Sequence, residues 1–128
     1  MRNPQSSRFI ILGALFAAIG VMAGAFGAHA LKAVLEPPML SVFETAVRYQ
    51  MYHAFGIFFA AWACEKLPAS NFQQVGMLFS AGIILFSGSL YAVALLGISK
   101  LGIVTPFGGL AFIAGWLLLA YRFWQNKK

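Results

Sequence analysis

Acidic side chains are nearly absent from this sequence of 128 residues, which contains no aspartate and only three glutamates, Glu36, Glu44 and Glu65. Charged residues of both signs make up 9% of the chain, against about 25% in a typical soluble domain. So few charges cannot cover a water-facing surface, which excludes an ordinary soluble domain. The hydrophobic content of 61% and the mean hydropathy of +0.81 instead predict a single integral membrane domain over residues 1–128.

Cysteine is scarcer still, since Cys64 is the only one in the chain. A single cysteine excludes an internal disulfide and a paired-cysteine metal site. The two histidines and three glutamates show no H-E-x-x-H or comparable spacing. We therefore predict no metal site and no cofactor, and we expect Cys64 to be a packing residue.

Nine basic residues against three acidic ones give a net charge of +6. They are scattered along the chain and form no basic stripe, so we expect no nucleic-acid partner. The positive-inside rule favours both termini in the cytoplasm. That orientation places inside Arg2, Arg8, Lys66, Arg122, Lys127 and Lys128, and outside Lys32, Arg48 and Lys100.

Four largely apolar stretches reach the ~20 residues that a helix needs to cross a bilayer. They predict an all-α membrane protein, a four-transmembrane-helix bundle of unbroken helices, with spans at about residues 9–31, 43–64, 75–98 and 103–124. In the second stretch an alternative places residues 39–53 on the membrane surface. We favour a full span because residues 54–64 are too few to cross alone.

The first apolar stretch also has an alternative interpretation. Ala28-His29-Ala30 loosely resembles the cleavage site of a signal peptide. The preceding apolar run exceeds the usual ~7–15 residues of such a signal, which favours a retained helix.

Small residues at four-residue spacing predict close packing between membrane helices. A homo-oligomer would use whichever small face remains uncovered. The pairs are Gly20 and Gly24, Ala23 and Gly27, Gly76 and Ser80, Gly88 and Ala92, and Ala111 and Gly115.

Polar residues concentrate at 44–53, within the second predicted span. Ionisable groups at membrane depth are costly and commonly mark a functional site. Glu44 and Arg48 are one helical turn apart and are expected to pair. At ~1.5 Å per residue, His53 lies ~15 Å below Phe43, near the midplane of a ~30 Å core. Groups at similar depth complete a candidate cluster of His29, Glu44, Arg48, Tyr49, Tyr52, His53, Ser87, Ser89, Tyr91 and Thr105.

Each of these residues also has a structural interpretation. Arg48 can extend its guanidinium to the headgroups with Glu44 as counter-ion, and His29 can be an interfacial or capping residue. His53 can be a neutral core histidine that is hydrogen-bonded to Tyr49 or to a serine. Ser87 and Ser89 can bond the preceding turn of their own helix.

Several blocks of this chain resemble the signatures of one family. They are Gly24 to Leu31, Tyr49 to His53, Phe86 to Tyr91, Thr105 to Gly109 and Ala114 to Trp116. The resemblance is to the small bacterial membrane proteins called domain of unknown function 423, with a eukaryotic relative called transmembrane protein 256. It covers nearly the whole chain. It implies a four-span bacterial inner-membrane protein and no assigned activity.

The leading hypothesis is a structural or accessory inner-membrane protein with a polar lipid- or ligand-binding cavity in the outer half of the bundle. Its expected partners are membrane lipids, further copies of itself and an unidentified membrane protein. The alternative is an oligomeric ion or proton channel or a small-solute transporter, in which His53 titrates. We predict no enzyme, because Ser87 or Ser89 with His53 lacks an orienting acid and the chain has no G-x-S-x-G.

Overall fold

The computed structural model describes residues 3–127, so Arg2 and Lys128 of the charge count lie outside the described residues. Within 3–127 the chain forms helices and short connections, and no strand. The α-helices are α1 (Pro4–His29), α2 (Pro37–Lys66), α3 (Gln73–Gly82), α4 (Gly88–Leu96) and α5 (Thr105–Asn126). A π-helical segment, Ile83–Ser87, joins α3 to α4. The connections contain 3₁₀ turns at Leu31–Ala33, Pro68–Ser70 and Ser99–Ile103.

The helix ends follow local side-chain chemistry. The Asn3 side chain accepts a hydrogen bond of 2.9 Å from the backbone N–H of Gln5, which caps α1. Proline occupies the first turns of α1, α2 and α5, where a missing N–H costs nothing. Gly97 ends α4 with a φ of +67°, a backbone conformation that glycine adopts without strain.

The first two helices pack antiparallel along their full length. Glycines of α1 receive side chains of α2 in strict order: Gly13 faces Phe58, Gly20 faces Met51 and Gly27 faces Phe43. At the N-terminus of α1, the Asn3 side-chain amide donates to the carbonyl of Cys64 at 2.9 Å. The buried residues of α2 extend from Phe43 to Cys64, which makes α2 the central helix.

α3, the π-helical segment and α4 follow one another as a single long rod. This rod packs antiparallel to α5 in the same manner, and with α1, α2 and α5 it makes the four rods of the bundle. Gly82 faces the ring of Phe112, Gly108 faces Phe86, and Gly115 faces Phe79. Phe79 also contacts Gly56 of α2, so it joins three helices in the main core cluster. A smaller cluster of Leu31, Phe43 and Ala94 closes the opposite end of the bundle.

Three of the four rods have the length and apolar composition of membrane spans: Pro4–Ala33, Gln73–Leu96 and Ser99–Asn126. The polar stretch at 44–53 keeps α2 from meeting the same criterion. Large hydrophobic side chains cover the outer surface, among them Met22, Phe55 and Leu117, each more than 60% exposed. An apolar exterior of this extent is that of a membrane-embedded helical bundle.

Two sequence expectations need correction. The third rod is not an unbroken α-helix, because residues Ile83–Ser87 form a π-helical turn. Gly88 does not contribute to packing within the chain, since no atom lies within 4 Å of a Cβ placed there. Gly20, Gly27, Gly76 and Gly115 do receive large side chains from neighbouring helices.

Candidate functional site

His53 lies near the middle of α2, with 4% of its surface exposed. Its Nδ1 is 2.7 Å from the carbonyl oxygen of Tyr49, and its Nε2 accepts a 3.0 Å hydrogen bond from Trp116 Nε1. The imidazole also stacks on Phe112, with ring centroids 3.5 Å apart. The neutral imidazole with its proton on Nδ1 satisfies both hydrogen bonds.

A groove of about 600 Å³ runs beside His53, between α2, the π-helical segment and α5. We call it the His53 groove. It reaches the outer surface, where Tyr52 is 53% and Trp116 is 44% exposed. Within residues 3–127, the hydroxyls of Tyr49 and Tyr52 have no hydrogen-bond partner. The lining residues are Tyr49, Tyr52, His53, Phe86, Gly109, Phe112, Ile113 and Trp116.

Tyr91 of the predicted cluster forms a link between helices instead, through Gln50, which was not part of that cluster. The Gln50 amide donates to the carbonyl of Phe16 at 2.8 Å, and its oxygen accepts from the Tyr91 hydroxyl at 2.7 Å. The amide nitrogen and the amide oxygen of Gln50 both form hydrogen bonds. This one buried side chain therefore connects α1, α2 and α4.

Of the two serines, only Ser89 bonds its own helix as the structural interpretation expects. Ser87 is fully buried and donates to the carbonyl of Ala46 in α2 at 2.7 Å, rather than to its own helix. Ser89 donates to the carbonyl of Phe86 on its own rod and also contacts the hydroxyl of Thr105. These contacts satisfy the buried hydroxyls and tie α4 to its neighbours.

Glu44 and Arg48 lie elsewhere, in a second groove between α1 and α2. The expected ion pair between them is not formed, and neither side chain has a hydrogen-bond or ion-pair partner within 3–127. His29 is exposed at the end of α1 and lines neither groove. The ten predicted residues are therefore separated into two grooves, a set of interhelical links and one isolated histidine.

Sequence reasoning missed several residues that complete these arrangements: Gln50, Phe86, Phe112 and Trp116. Three of these four residues, Gln50, Phe86 and Trp116, lie inside blocks that carry the family resemblance, and this was the available signal. Gln50 bonds Tyr91 and Trp116 bonds His53, residues that are 41 and 63 positions away along the chain. Helix periodicity alone could not pair them. Within the described residues, no three His, Cys, Asp or Glu side chains gather as a metal site requires.

Comparisons with known proteins agree with the membrane character of the chain. The profile of a family described as "Protein of unknown function (DUF423)" matches residues 23–109. A UPF0382 membrane protein of Bacillus subtilis is 47% identical over 112 residues, covering 87% of this chain and 91% of the relative. One from Haemophilus influenzae is 38% identical over 124 residues, covering 96% and 98%. No solved structure matches the chain. Its apolar helices and these matches together make the chain a member of the DUF423 family of membrane proteins.

Proposed function

We propose that this protein is a non-enzymatic, multi-pass membrane protein that binds an amphiphilic membrane molecule in the His53 groove. The observation that carries the proposal is the position of two tyrosine hydroxyls. Tyr49 and Tyr52 lie roughly 18 and 22 Å from the start of α2 at 1.5 Å per residue, close to the middle of this 30-residue helix. An unsatisfied polar group in hydrocarbon costs several kcal/mol. A bound molecule with a hydrogen-bond acceptor would remove that cost.

The chemistry of the lining supports this class of ligand. Small-molecule sites measure about 300–1,000 Å³ and combine apolar walls with a few polar groups. The His53 groove fits this description, with aromatic walls and the two hydroxyls. Because it opens sideways from the bundle, its ligand would enter from the bilayer. The proposed site is at the middle of α2, whereas the sequence predicted a cavity in the outer half of the bundle.

We further propose that α2 crosses the membrane as the fourth span. Support comes from its partner: α1 is apolar and long enough to span, and α2 packs antiparallel along it from Asn3–Cys64 to Gly27–Phe43. A helix lying on the membrane surface would diverge from α1. With the charge distribution and bacterial relatives, this favours both termini in the cytoplasm and residence in the bacterial inner membrane.

The test is native mass spectrometry of the full-length protein, extracted without delipidation. We expect a bound small molecule at fixed stoichiometry in the wild type. Tyr52→Phe removes one hydroxyl, and Gly109→Leu places a side chain in the groove. Both should reduce occupancy by about tenfold, which corresponds to about 1.4 kcal/mol.

Matched controls separate the groove from general effects on folding. Tyr121→Phe makes the same change at a tyrosine of equal exposure (52%) outside the groove. Gly88→Leu makes the same change at a helical glycine surrounded by open space. Occupancy that is absent in the wild type, or that falls equally in the controls, would contradict the proposal.

The channel or transporter alternative remains a prediction without a favouring observation. His53 has both ring nitrogens engaged, so it offers no free site for relaying protons. Self-association and a membrane-protein partner also remain predictions. The same spectra test self-association, because they report the mass of the assembly together with that of any bound molecule.

A further inference from the structure

The second groove, lined by Glu44 and Arg48, lies on a different side of α2 from the His53 groove and shares no residue with it. Its volume is about 250 Å³. Gly24, Gly27 and Ala28 of α1 form one wall, and Phe43, Glu44, Val47 and Arg48 of α2 form the other. We call it the Glu44–Arg48 groove.

The glycines create this hollow. A Cβ at Gly24 would reach 3.5 Å from a methyl group of Val47, and one at Gly27 would lie 2.7 Å from the Phe43 ring. Because glycine has no side chain, α1 and α2 approach closely at these positions, and the groove between them stays open. The two charged side chains stand over this space.

The charges are opposite in sign, one helical turn apart and not paired with each other. Glu44 lies nearer the start of α2, roughly 10 Å along the helix, and Arg48 lies roughly 16 Å along it, at 1.5 Å per residue. Position 44 is therefore nearer that end of the bundle on the helix axis, and position 48 is one turn deeper. Both are exposed, which leaves them available to a molecule carrying the complementary charges.

We propose that this groove binds the headgroup of a zwitterionic aminophospholipid, in the leaflet at the end of the bundle that holds the Ala30–Glu36 connection. In such a lipid the ammonium is outermost and the phosphate is next to the glycerol. This order matches Glu44 outside and Arg48 inside. Arginine binds phosphate through charge-assisted hydrogen bonds, and Glu44 accepts from the ammonium.

The same arrangement discriminates between lipids. An anionic lipid without an amine would gain the contact with Arg48 but would face an uncompensated Glu44 carboxylate. Specificity of this kind comes from the repulsive element as much as from the attractive one. The groove should therefore prefer phosphatidylethanolamine to phosphatidylglycerol with the same acyl chains.

The experiment is a titration of the delipidated full-length protein in detergent with each of these lipids, followed by native mass spectrometry. We expect the wild type to bind phosphatidylethanolamine about tenfold more tightly than phosphatidylglycerol. Glu44→Gln should remove the preference by strengthening phosphatidylglycerol binding. Arg48→Gln should weaken both lipids.

Glu36→Gln and Lys32→Gln are the matched controls, because they neutralise exposed charges near the same membrane surface that do not line the groove. Both should keep the wild-type preference. Equal binding of the two lipids by the wild type would overturn the proposal, as would a preference that survives in Glu44→Gln/Arg48→Gln. Displacement of the lipid by an equal concentration of free phosphoethanolamine would also overturn it, because the site would then bind a soluble solute.

This inference is independent of the His53 groove, and the variants keep the two apart. Tyr52→Phe should leave the lipid preference unchanged, since Tyr52 does not line the Glu44–Arg48 groove. A preference lost in Tyr52→Phe as strongly as in Glu44→Gln would contradict two separate sites.

Discussion

At the scale of single residues, close backbone contact decides which glycines the bundle requires. Gly108 of α5 lies directly against the backbone of Phe86, so that a Cβ at position 108 would be 2.7 Å from Phe86 Cα. The next residue, Gly109, has more room, because a Cβ there would lie 3.8 Å from the Phe86 ring. Backbone atoms cannot rotate away as a side chain can, so neighbouring glycines have different roles.

We expect Gly108→Ala to destabilise the protein by about 1–3 kcal/mol, the usual cost of forcing an extra methyl group into a packed interior. Gly109→Ala should be neutral or slightly stabilising, since alanine is the better helix former. Denaturation of the two variants in detergent, compared with the wild type, measures the difference. Equal stability of the two variants would contradict the close approach of α5 to the π-helical segment.

The hydrogen-bond partners of single residues also show why the predicted polar cluster did not form one cavity. Ser87, Ser89 and Tyr91 lie close together along the chain, but their partners differ. Ser87 bonds the Ala46 carbonyl and Tyr91 bonds Gln50. Depth follows from position along a helix, whereas the direction of a side chain depends on the rotation of that helix against its neighbours.

At the scale of elements, the π-helical segment shapes the wall of the His53 groove. A π-helical turn carries one more residue than an α-helical turn, and such turns are frequent at functional sites. This segment holds Phe86, whose ring lies 4.8 Å from that of Tyr49, and Ser87, which bonds α2. The segment therefore brings both groups against α2.

Deletion of Ile84, an exposed residue of the segment, should convert the π turn to α-helix and leave α4 in its present orientation. We expect the variant to fold, to keep its α4 contacts and to lose binding in the His53 groove, because Phe86 moves. Monodispersity after detergent extraction reports the fold, and the native spectra report the bound molecule.

Deletion of Leu117 is the matched control, since it is equally exposed but lies in a continuous α-helix. It should turn the rest of α5 by about 100°, displacing Leu119 and Arg122 and causing misfolding. If the Ile84 deletion were as disruptive as the Leu117 deletion, the role assigned to the π-helical turn would be wrong.

At the scale of the whole molecule, the antiparallel order of the rods fixes which connections share an end. The start of α1 and the end of α5 lie at the same end of the bundle as the connection between α2 and α3. Asn3 bonds Cys64 there, and Ser70 bonds Asn126. Residues 30–36 and 97–104 lie at the other end. If α2 spans, these two ends face opposite sides of the membrane.

Labelling of single cysteines with a membrane-impermeant maleimide tests this arrangement in intact cells. In a Cys64→Ser background, we expect Lys32→Cys and Lys100→Cys to be labelled from outside. Ala69→Cys and Lys127→Cys should react only after lysis. Labelling of Lys32→Cys and Ala69→Cys from the same side would show that α2 does not cross, and exchange of the two pairs would reverse the proposed orientation.

The amino-acid sequence by itself determined the class of the protein and most of its helices. Scarcity of charge and four apolar stretches sufficed for an all-helical membrane protein, because burial in lipid acts on composition and on length. The family was recognisable from its blocks, such as Gly24 to Leu31. The polar stretch at 44–53 was correctly located within one helix, because helix formation depends on neighbouring residues.

Tertiary structure alone decided how these helices are rotated against each other. It brought Trp116 to His53 across 63 residues, separated Glu44 and Arg48 from the tyrosines, and placed a π-helical turn against Gly108. These outcomes depend on which aromatic side chain packs against which glycine of a neighbouring helix. The two residues of such a contact come from distant parts of the chain. Hydropathy and spacing carry no information about such complementarity, so the two grooves emerge only when the helices pack.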